Sequence, residues 1–393
     1  MSAPQLPDTS LGRHPLEDRA LRVLFMADHL GHPSGRVHGG TTYFLNTIPA
    51  LAEAGFEIDP VFLGPRHPMA DRLEARGITA RFLDQGKFDL RALSAARTMV
   101  LAGQYDVLHL HSFKSHLAGQ VAVRGQSAAA IVHVHDQIKM PAPLRFFQKR
   151  LGPATAALIG VSESVTAFGQ QEYNVPSERC RTIPNGLDLA PFRAAKERAE
   201  RTLRKELDVP AERRVLLVAG RLNPVKGHPQ LFEAMKTVTA ADPDCELWVV
   251  GDGEARGDYE RMVKDFGLGD RVRFLGQRED MPEVFASADI VLVPSMWEEG
   301  FGLVALEAAA TGRPVVAFDV GGLSALVHHQ HSGLLVPRGD TTALADAILS
   351  LLRDDALRTR LEAGTGKVAE SFTLDRQFER FTACLEGVHA HIK

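Results

Sequence analysis

The chain has 393 residues, 45% of them apolar and 24% charged. That length and balance describe a globular protein of about two domains with enough apolar material for a sizeable core. A formal net charge of −4 excludes a general nucleic-acid binder.

The charge is unevenly placed. Residues 1–190 hold 19 Lys+Arg against 17 Asp+Glu, a balance of +2, which leaves −6 for the remainder; they also hold ten of the 16 histidines. Cys180, Cys245 and Cys384 are too scattered for a metal or CxxC motif and read as free thiols of a reducing compartment. The chain shows no secretory h-region and no apolar run near the ~20 residues that span a bilayer. A cytoplasmic protein is therefore expected, with any membrane contact peripheral and at the inner face.

Residues 1–20 are polar and read as a disordered leader. Short, almost continuously apolar segments follow: RVLFMAD from Arg22, IDPVFLG from Ile58, DVLHLHS from Asp106, AIVHVHD from Ala130 and AALIGVS from Ala156. Such runs suit strands buried on both faces of a parallel sheet. Helical segments lie between them, TTYFLNTIPALAEAG from Thr41 among them, so residues 21–190 form a first doubly wound domain. Residues 191–213 are charged and poor in large apolar side chains, which reads as a linker. The pattern restarts over 214–372 with RVLLVAG, CELWVVGDG, RVRFLG, IVLVPS, PVVAFDVGG and GLLVPRGD. Residues 373–393 form a last helix with Leu374, Phe378, Phe381, Leu385 and Val388 at helical spacing, suited to packing across the domain junction. The fold class is α/β, with two Rossmann-like doubly wound parallel-sheet domains facing across a ligand cleft.

Five constellations carry chemistry. GRLNPVKG, Gly220 to Gly227, follows a strand and offers Arg221 as a planar fork and Lys226 as a point charge, both suited to phosphate. After IVLVPS, the chain turns through Gly300 and Gly302 into an Ala-rich helix ended by Gly312. Glu299 and Glu307 bracket that turn with seven residues between them. Two carboxylates at fixed separation hold hydroxyls of one ligand, and the helix start between them favours negative charge. Gly39 and Gly40 precede a helix, where backbone approaches a phosphate closely. His109 and His111 share one strand face, as do His133 and His135. A four-histidine metal site is disfavoured, because two of the four belong in the core. The strand ends instead place His111, His135 and Asp136 toward the cleft as sugar or acceptor contacts. Finally, Met140 to Pro153 mixes Leu144, Phe146, Phe147 and Leu151 with Arg145, Lys149 and Arg150. It reads as a basic amphipathic helix, either an ordinary core-facing one or a peripheral membrane contact. The one DxD, Asp242 to Asp244, falls in a loop away from the phosphate candidates, so no metal is expected.

GRLNPVKG, EEGFGLVALEAAATGRPVVA, VHGGTTYF and IPNGLDLAPF together resemble the retaining glycosyltransferases of family 4, which have the GT-B fold. The likeness covers nearly all of residues 21–390. It implies a metal-independent enzyme without a cofactor that moves a sugar from a nucleotide-diphosphate sugar to a glycan, lipid-linked or small-molecule acceptor. It further implies that Arg221 and Lys226 hold the donor diphosphate. Glu299 would meet the donor sugar, with backbone N–H groups of Gly300, Phe301, Gly302 and Leu303. Glu307 would take the ribose, Gly39 and Gly40 would lie over the phosphates, and His135 would sit near the sugar. Acceptor recognition would fall to the first domain. A nucleotide-sugar 2-epimerase of the same fold and a non-catalytic sugar-nucleotide binder are the alternatives.

Overall fold

The computed structural model describes residues 20–31, 39–86, 89, 91–198 and 202–390. All but the last residue of the expected leader thus lies outside the described residues. Two wholly parallel sheets organise the rest. The first contains β1 (Arg22–Ala27), β2 (Glu57–Phe62), β3 (Arg81–Phe82), β4 (Val107–Leu110), β5 (Ala129–Val134), β6 (Ala157–Gly160) and β7 (Cys180–Thr182), in the order β3-β2-β1-β4-β5-β6-β7. The second contains β8 (Arg214–Ala219), β9 (Cys245–Val250), β10 (Val272–Gly276), β11 (Ile290–Val293), β12 (Val315–Phe318) and β13 (Gly333–Val336), in the order β10-β9-β8-β11-β12-β13. In each sheet the order reverses beside the first strand, between β1 and β4 and between β8 and β11. Loops leaving the C-terminal ends of those strands open the crevice where such sheets take ligands.

The strands form where they do because both faces are covered. In β5 and β9 every residue is buried, and Val23, Val107, Ile131 and Ile159 repeat on one face of the first sheet. Phe381, Leu385 and Val388 of the last helix, Leu374–Ala390, join that face. The last helix therefore returns to the first sheet. Gln377 anchors the crossing by accepting the Gly186 N–H at 2.8 Å, and Leu187 and Leu374 bond across it.

The segment 191–213 is more structured than its composition suggests. It contains most of the helix Ala190–Glu197 and all of the helix Thr202–Glu206. Phe192, Leu203 and Arg204 are buried. The Arg204 guanidinium donates to Ser287 O at 2.8 Å and Arg213 O at 2.9 Å, and it pairs with the Asp289 carboxylate. Asp289 also accepts the Val215 N–H at 2.7 Å. A buried arginine is tolerable only with this degree of pairing. Residues 202–213 are thereby fixed to the edge of β8 and the start of β11.

Candidate functional site

The second sheet supplies most of the charge. β8 ends at Ala219, and Gly220 to Lys226 lead through a short 3-10 turn to Gly227. Gly227 has φ 72°, and a methyl built there would overlap the Pro294 carbonyl oxygen at the end of β11. Only glycine lets the two loops lie this close. Met296 N–H donates to Val225 O at 2.9 Å and stitches them together. This close packing brings Lys226 to Glu299, Nζ to Oε1 at 2.6 Å, while the Ser295 hydroxyl donates to the same oxygen. Arg221 meets Glu254 at 3.1 Å in an exposed pair, which contributes little to stability.

The Glu299 turn is held from behind. The Glu298 carboxylate accepts the Gly321 N–H at 2.8 Å and an Arg338 N–H at 2.9 Å, and Glu299 O accepts the Gly322 N–H at 2.7 Å. Phe301 is buried against Phe372, with ring centroids 5.4 Å apart. Gly302, at φ 99°, starts the helix Leu303–Ala310, and Gly312, at φ 76°, follows its end. The first N–H groups of that helix have no intrahelical acceptor and carry its positive dipole end. In the second turn, the half-buried Glu307 carboxyl has no side-chain partner among the described residues. Burial pushes its pKa up to about 8.

The first domain meets this turn through backbone. A methyl on Gly300 would overlap the His135 carbonyl oxygen, and one on Gly39 would sit 3.4 Å from Leu303 Cδ1. Gly39 and Gly40 are the first two residues of the helix Gly39–Glu53 rather than a loop before it. Asp136 follows His135. Burial raises its carboxyl above the usual range, although the Ile138 N–H donates to it at 3.3 Å. In the first domain, to which acceptor recognition was assigned, residues 32–38 lie outside the described residues. Lys114 and Ser115 donate their N–H groups to the Asp28 carboxylate at 3.3 and 2.9 Å.

One expectation is corrected. His111 does not face the cleft. Its side chain is buried, stacked on Phe25 at 4.2 Å between ring centroids, while its N–H donates to Met26 O at 3.0 Å. It belongs to a run of four imidazoles. His133 Nδ1 lies 3.0 Å from His109 Nε2, His109 Nδ1 lies 3.1 Å from His111 Nε2, and His111 Nδ1 lies 2.9 Å from His135 Nε2. Tyr43 packs on His135 at 4.9 Å between ring centroids and places its hydroxyl 3.3 Å from His133 Nδ1.

Sequence reading brought together Arg221, Lys226, Glu299, the Gly300–Leu303 turn, Glu307, Gly39 and His135. It missed Ser295, Glu298, Arg338, the Gly321–Gly322 pair and Tyr43. The glycine pair after PVVAFDV was the one visible signal for the second and fourth of these, since glycines after a strand mark close backbone approach. Asp242 and Asp244 lie at the N-terminal end of β9, away from the crevice.

Two family models cover most of the chain: Glycosyltransferase Family 4 over residues 37–191 and Glycosyl transferases group 1 over residues 199–367. The D-inositol 3-phosphate glycosyltransferase of Corynebacterium glutamicum is 30% identical over 395 residues, covering 90% of this chain and 93% of that protein. The chain belongs to the family 4 glycosyltransferases. It is accordingly an enzyme of the transferase class, with a GT-B fold. The phosphatidyl-myo-inositol mannosyltransferase of Mycobacterium leprae is a second relative, 32% identical over 284 residues, 71% of this chain and 72% of that one. Among solved glycosyltransferase folds, Anabaena HepE in complex with UDP superposes with a TM-score of 0.81 at 22% identity, covering 93% of this chain and 100% of that one.

Proposed function

We propose that this glycosyltransferase moves a sugar from a nucleotide-diphosphate sugar to an acceptor hydroxyl, with retention at the anomeric carbon and without a metal ion. The observation that carries the reading is the meeting, at one turn, of Lys226, Glu299 and a helix N-terminus with the backbone of His135 from the opposite sheet. Arg221, Lys226 and that helix end supply fixed positive charge where a diphosphate leaves. Glu299 accepts donor-sugar hydroxyls and Glu307 the ribose hydroxyls. The leaving phosphate takes the acceptor's proton as the acceptor attacks on the same face. The two facing sheets exclude water once the cleft is filled.

The ligand-free geometry adds one requirement. Lys226 and Glu299 satisfy each other, so donor entry must redistribute both, the ammonium to phosphate and the carboxylate to sugar. Both curated relatives carry inositol in their names, which makes a phosphorylated cyclitol the first acceptor to assay. The test is incubation with UDP-, GDP-, ADP- and TDP-sugars, each with and without acceptor. A glycosylated acceptor of retained configuration supports the reading. An epimerised donor points to the epimerase, and no turnover with tight donor binding points to a non-catalytic binder.

A peripheral contact with an anionic bilayer is the second proposal. The helix Ala142–Leu151 turns Leu144, Gln148 and Leu151 inward. Phe146 and Phe147 remain 55% and 59% exposed, beside Ile138, Lys139, Arg145, Lys149 and Arg150. Adjacent exposed aromatics within a basic rim suit a headgroup layer. No helix among the described residues is long and apolar enough to cross a membrane.

A further inference from the structure

The four imidazoles are joined head to tail. Every link pairs the Nδ1 of one ring with the Nε2 of the next, from His133 through His109 and His111 to His135. A neutral imidazole carries one proton, and each N···N link needs one. No interior ring can donate at both nitrogens or accept at both. Three links and four protons leave one proton over, at one end of the chain. Only two arrangements exist: all four rings protonated at Nε2, with the spare proton on His133 Nε2, or all four protonated at Nδ1, with the spare proton on His135 Nδ1.

The core end decides between them. His133 is fully buried, and its Nε2 has no partner among the described residues. A proton there would be an orphaned buried donor, the rarer defect in proteins. With the opposite polarity, His133 Nδ1–H donates to His109, and the Tyr43 hydroxyl, which also bonds to Thr47, lies within reach as a second acceptor. Burial holds His109, His111 and His133 well below the ordinary histidine pKa, so the rings are neutral near pH 7. Nitrogens of His109, His111 and His133 do lie within 4.8 Å of one another, as metal ligands would. His109, however, turns its two nitrogens to two different neighbours instead of offering a lone pair to a shared point.

We propose that His109, His111 and His133 are positioning residues whose one-way hydrogen-bond chain fixes His135 as the Nδ1–H tautomer. His135 Nε2 is then occupied as an acceptor from His111. His135 serves the transfer as a neutral hydrogen-bond donor and not as a base, which leaves the acceptor's proton to the departing phosphate. The effect on turnover rests on the placement of His135 beside the donor sugar; the tautomer itself does not.

The test is a long-range 1H–15N correlation spectrum of the 15N-histidine-labelled full-length protein at pH 7, with His135 assigned from a His135→Asn sample. Four rings protonated at Nδ1, against the Nε2 preference of free histidine in water, are expected. His135 protonated at Nε2, or zinc bound in stoichiometric amount with loss of the N–H···N signatures, overturns the proposal. His111→Phe should release His135 to Nε2–H and lower kcat roughly 10- to 100-fold with donor KM little changed. His111→Asn places an amide donor near the Nδ1 position and should restore both. An unchanged His135 tautomer in a folded His111→Phe protein would also overturn it. A switched tautomer with unchanged kcat would instead keep the chain and remove His135 from the sugar.

Discussion

Glu307 should couple donor binding to pH. In the ligand-free cleft its carboxyl has a pKa of about 8, against 4.5 ordinarily, because burial disfavours the charged form. Near neutrality it is therefore mostly protonated. If it accepts two ribose hydroxyls, the bound form is the carboxylate, and donor binding expels a proton. Affinity then rises with pH by up to tenfold per unit, roughly 50-fold between pH 6 and 8, and levels above the free pKa. Titration calorimetry with a nucleotide sugar, whose diphosphate is doubly esterified, avoids a titrating phosphate. Running it at pH 6 to 9 in buffers of different ionisation enthalpy counts the released proton. Glu307→Gln should bind with little pH dependence and lose about 1.5–3 kcal/mol at pH 8.5, where the wild type is charged. Stability moves the other way. The folded state holds this proton between the ordinary and the raised pKa, so the group's contribution is complete below about 4.5 and is lost as pH rises through about 8. Ligand-free Glu307→Gln should thus melt like wild type at low pH and higher than wild type at pH 8.5. Wild-type affinity flat across this range, with no proton released, would remove the ribose from Glu307.

Lys226→Ala should lower kcat/KM by about 10²- to 10³-fold, because it deletes one fixed charge at the leaving diphosphate; wild-type turnover would place the diphosphate elsewhere. Steady-state rates should be unchanged in excess EDTA, and loss of activity restored by a divalent ion would reinstate a metal. Gly300→Ala puts a methyl against the His135 carbonyl oxygen and should reduce kcat while calorimetric donor affinity stays near wild type; equal loss of both would mean that the contact serves only folding. Replacing Phe146 and Phe147 together by Ser should abolish sedimentation with anionic vesicles, each ring being worth roughly 1.5–3 kcal/mol when buried, while an unchanged melting temperature confirms the fold.

Eleven of the thirteen described strands were legible, most of them because a strand covered on both faces must be apolar throughout. The two that were not, β3 and β7, are edge strands of two and three residues with exposed positions, and they carry no such run. Arg204 shows a different limit. Its segment looks like a solvated linker by composition, yet its guanidinium is buried because Asp289 lies at the start of β11, a pairing between residues 85 apart. In the histidines, period two correctly put each pair on one face. Which rings touch depends on the register of β4 against β5, where His109 lies opposite Ile131, and sequence periodicity carries no register between strands. His111 was misjudged because its burial depends on packing against Phe25 and Phe44, which strand periodicity does not specify.

The ligand-free cleft is internally neutralised, and that bears on selectivity. Lys226 is matched by Glu299, Arg221 by Glu254, and Glu307 holds its proton. On the proposed reading, an arriving diphosphate gains little from cations whose charge is already balanced unless the carboxylates find other work. Sugar hydroxyls give Glu299 that work. A nucleoside diphosphate lacks them, so it leaves Glu299 without its cation, beside the diphosphate's own negative charge, whenever it draws Lys226 away. The sugar therefore adds more to binding than its own hydrogen bonds, because it also frees the lysine. The same arithmetic favours release after transfer: once the sugar has left, Glu299 competes for Lys226 again, and the spent nucleotide loses part of its hold on the site. A single ion pair at 2.6 Å would in this way set both donor preference and product exit.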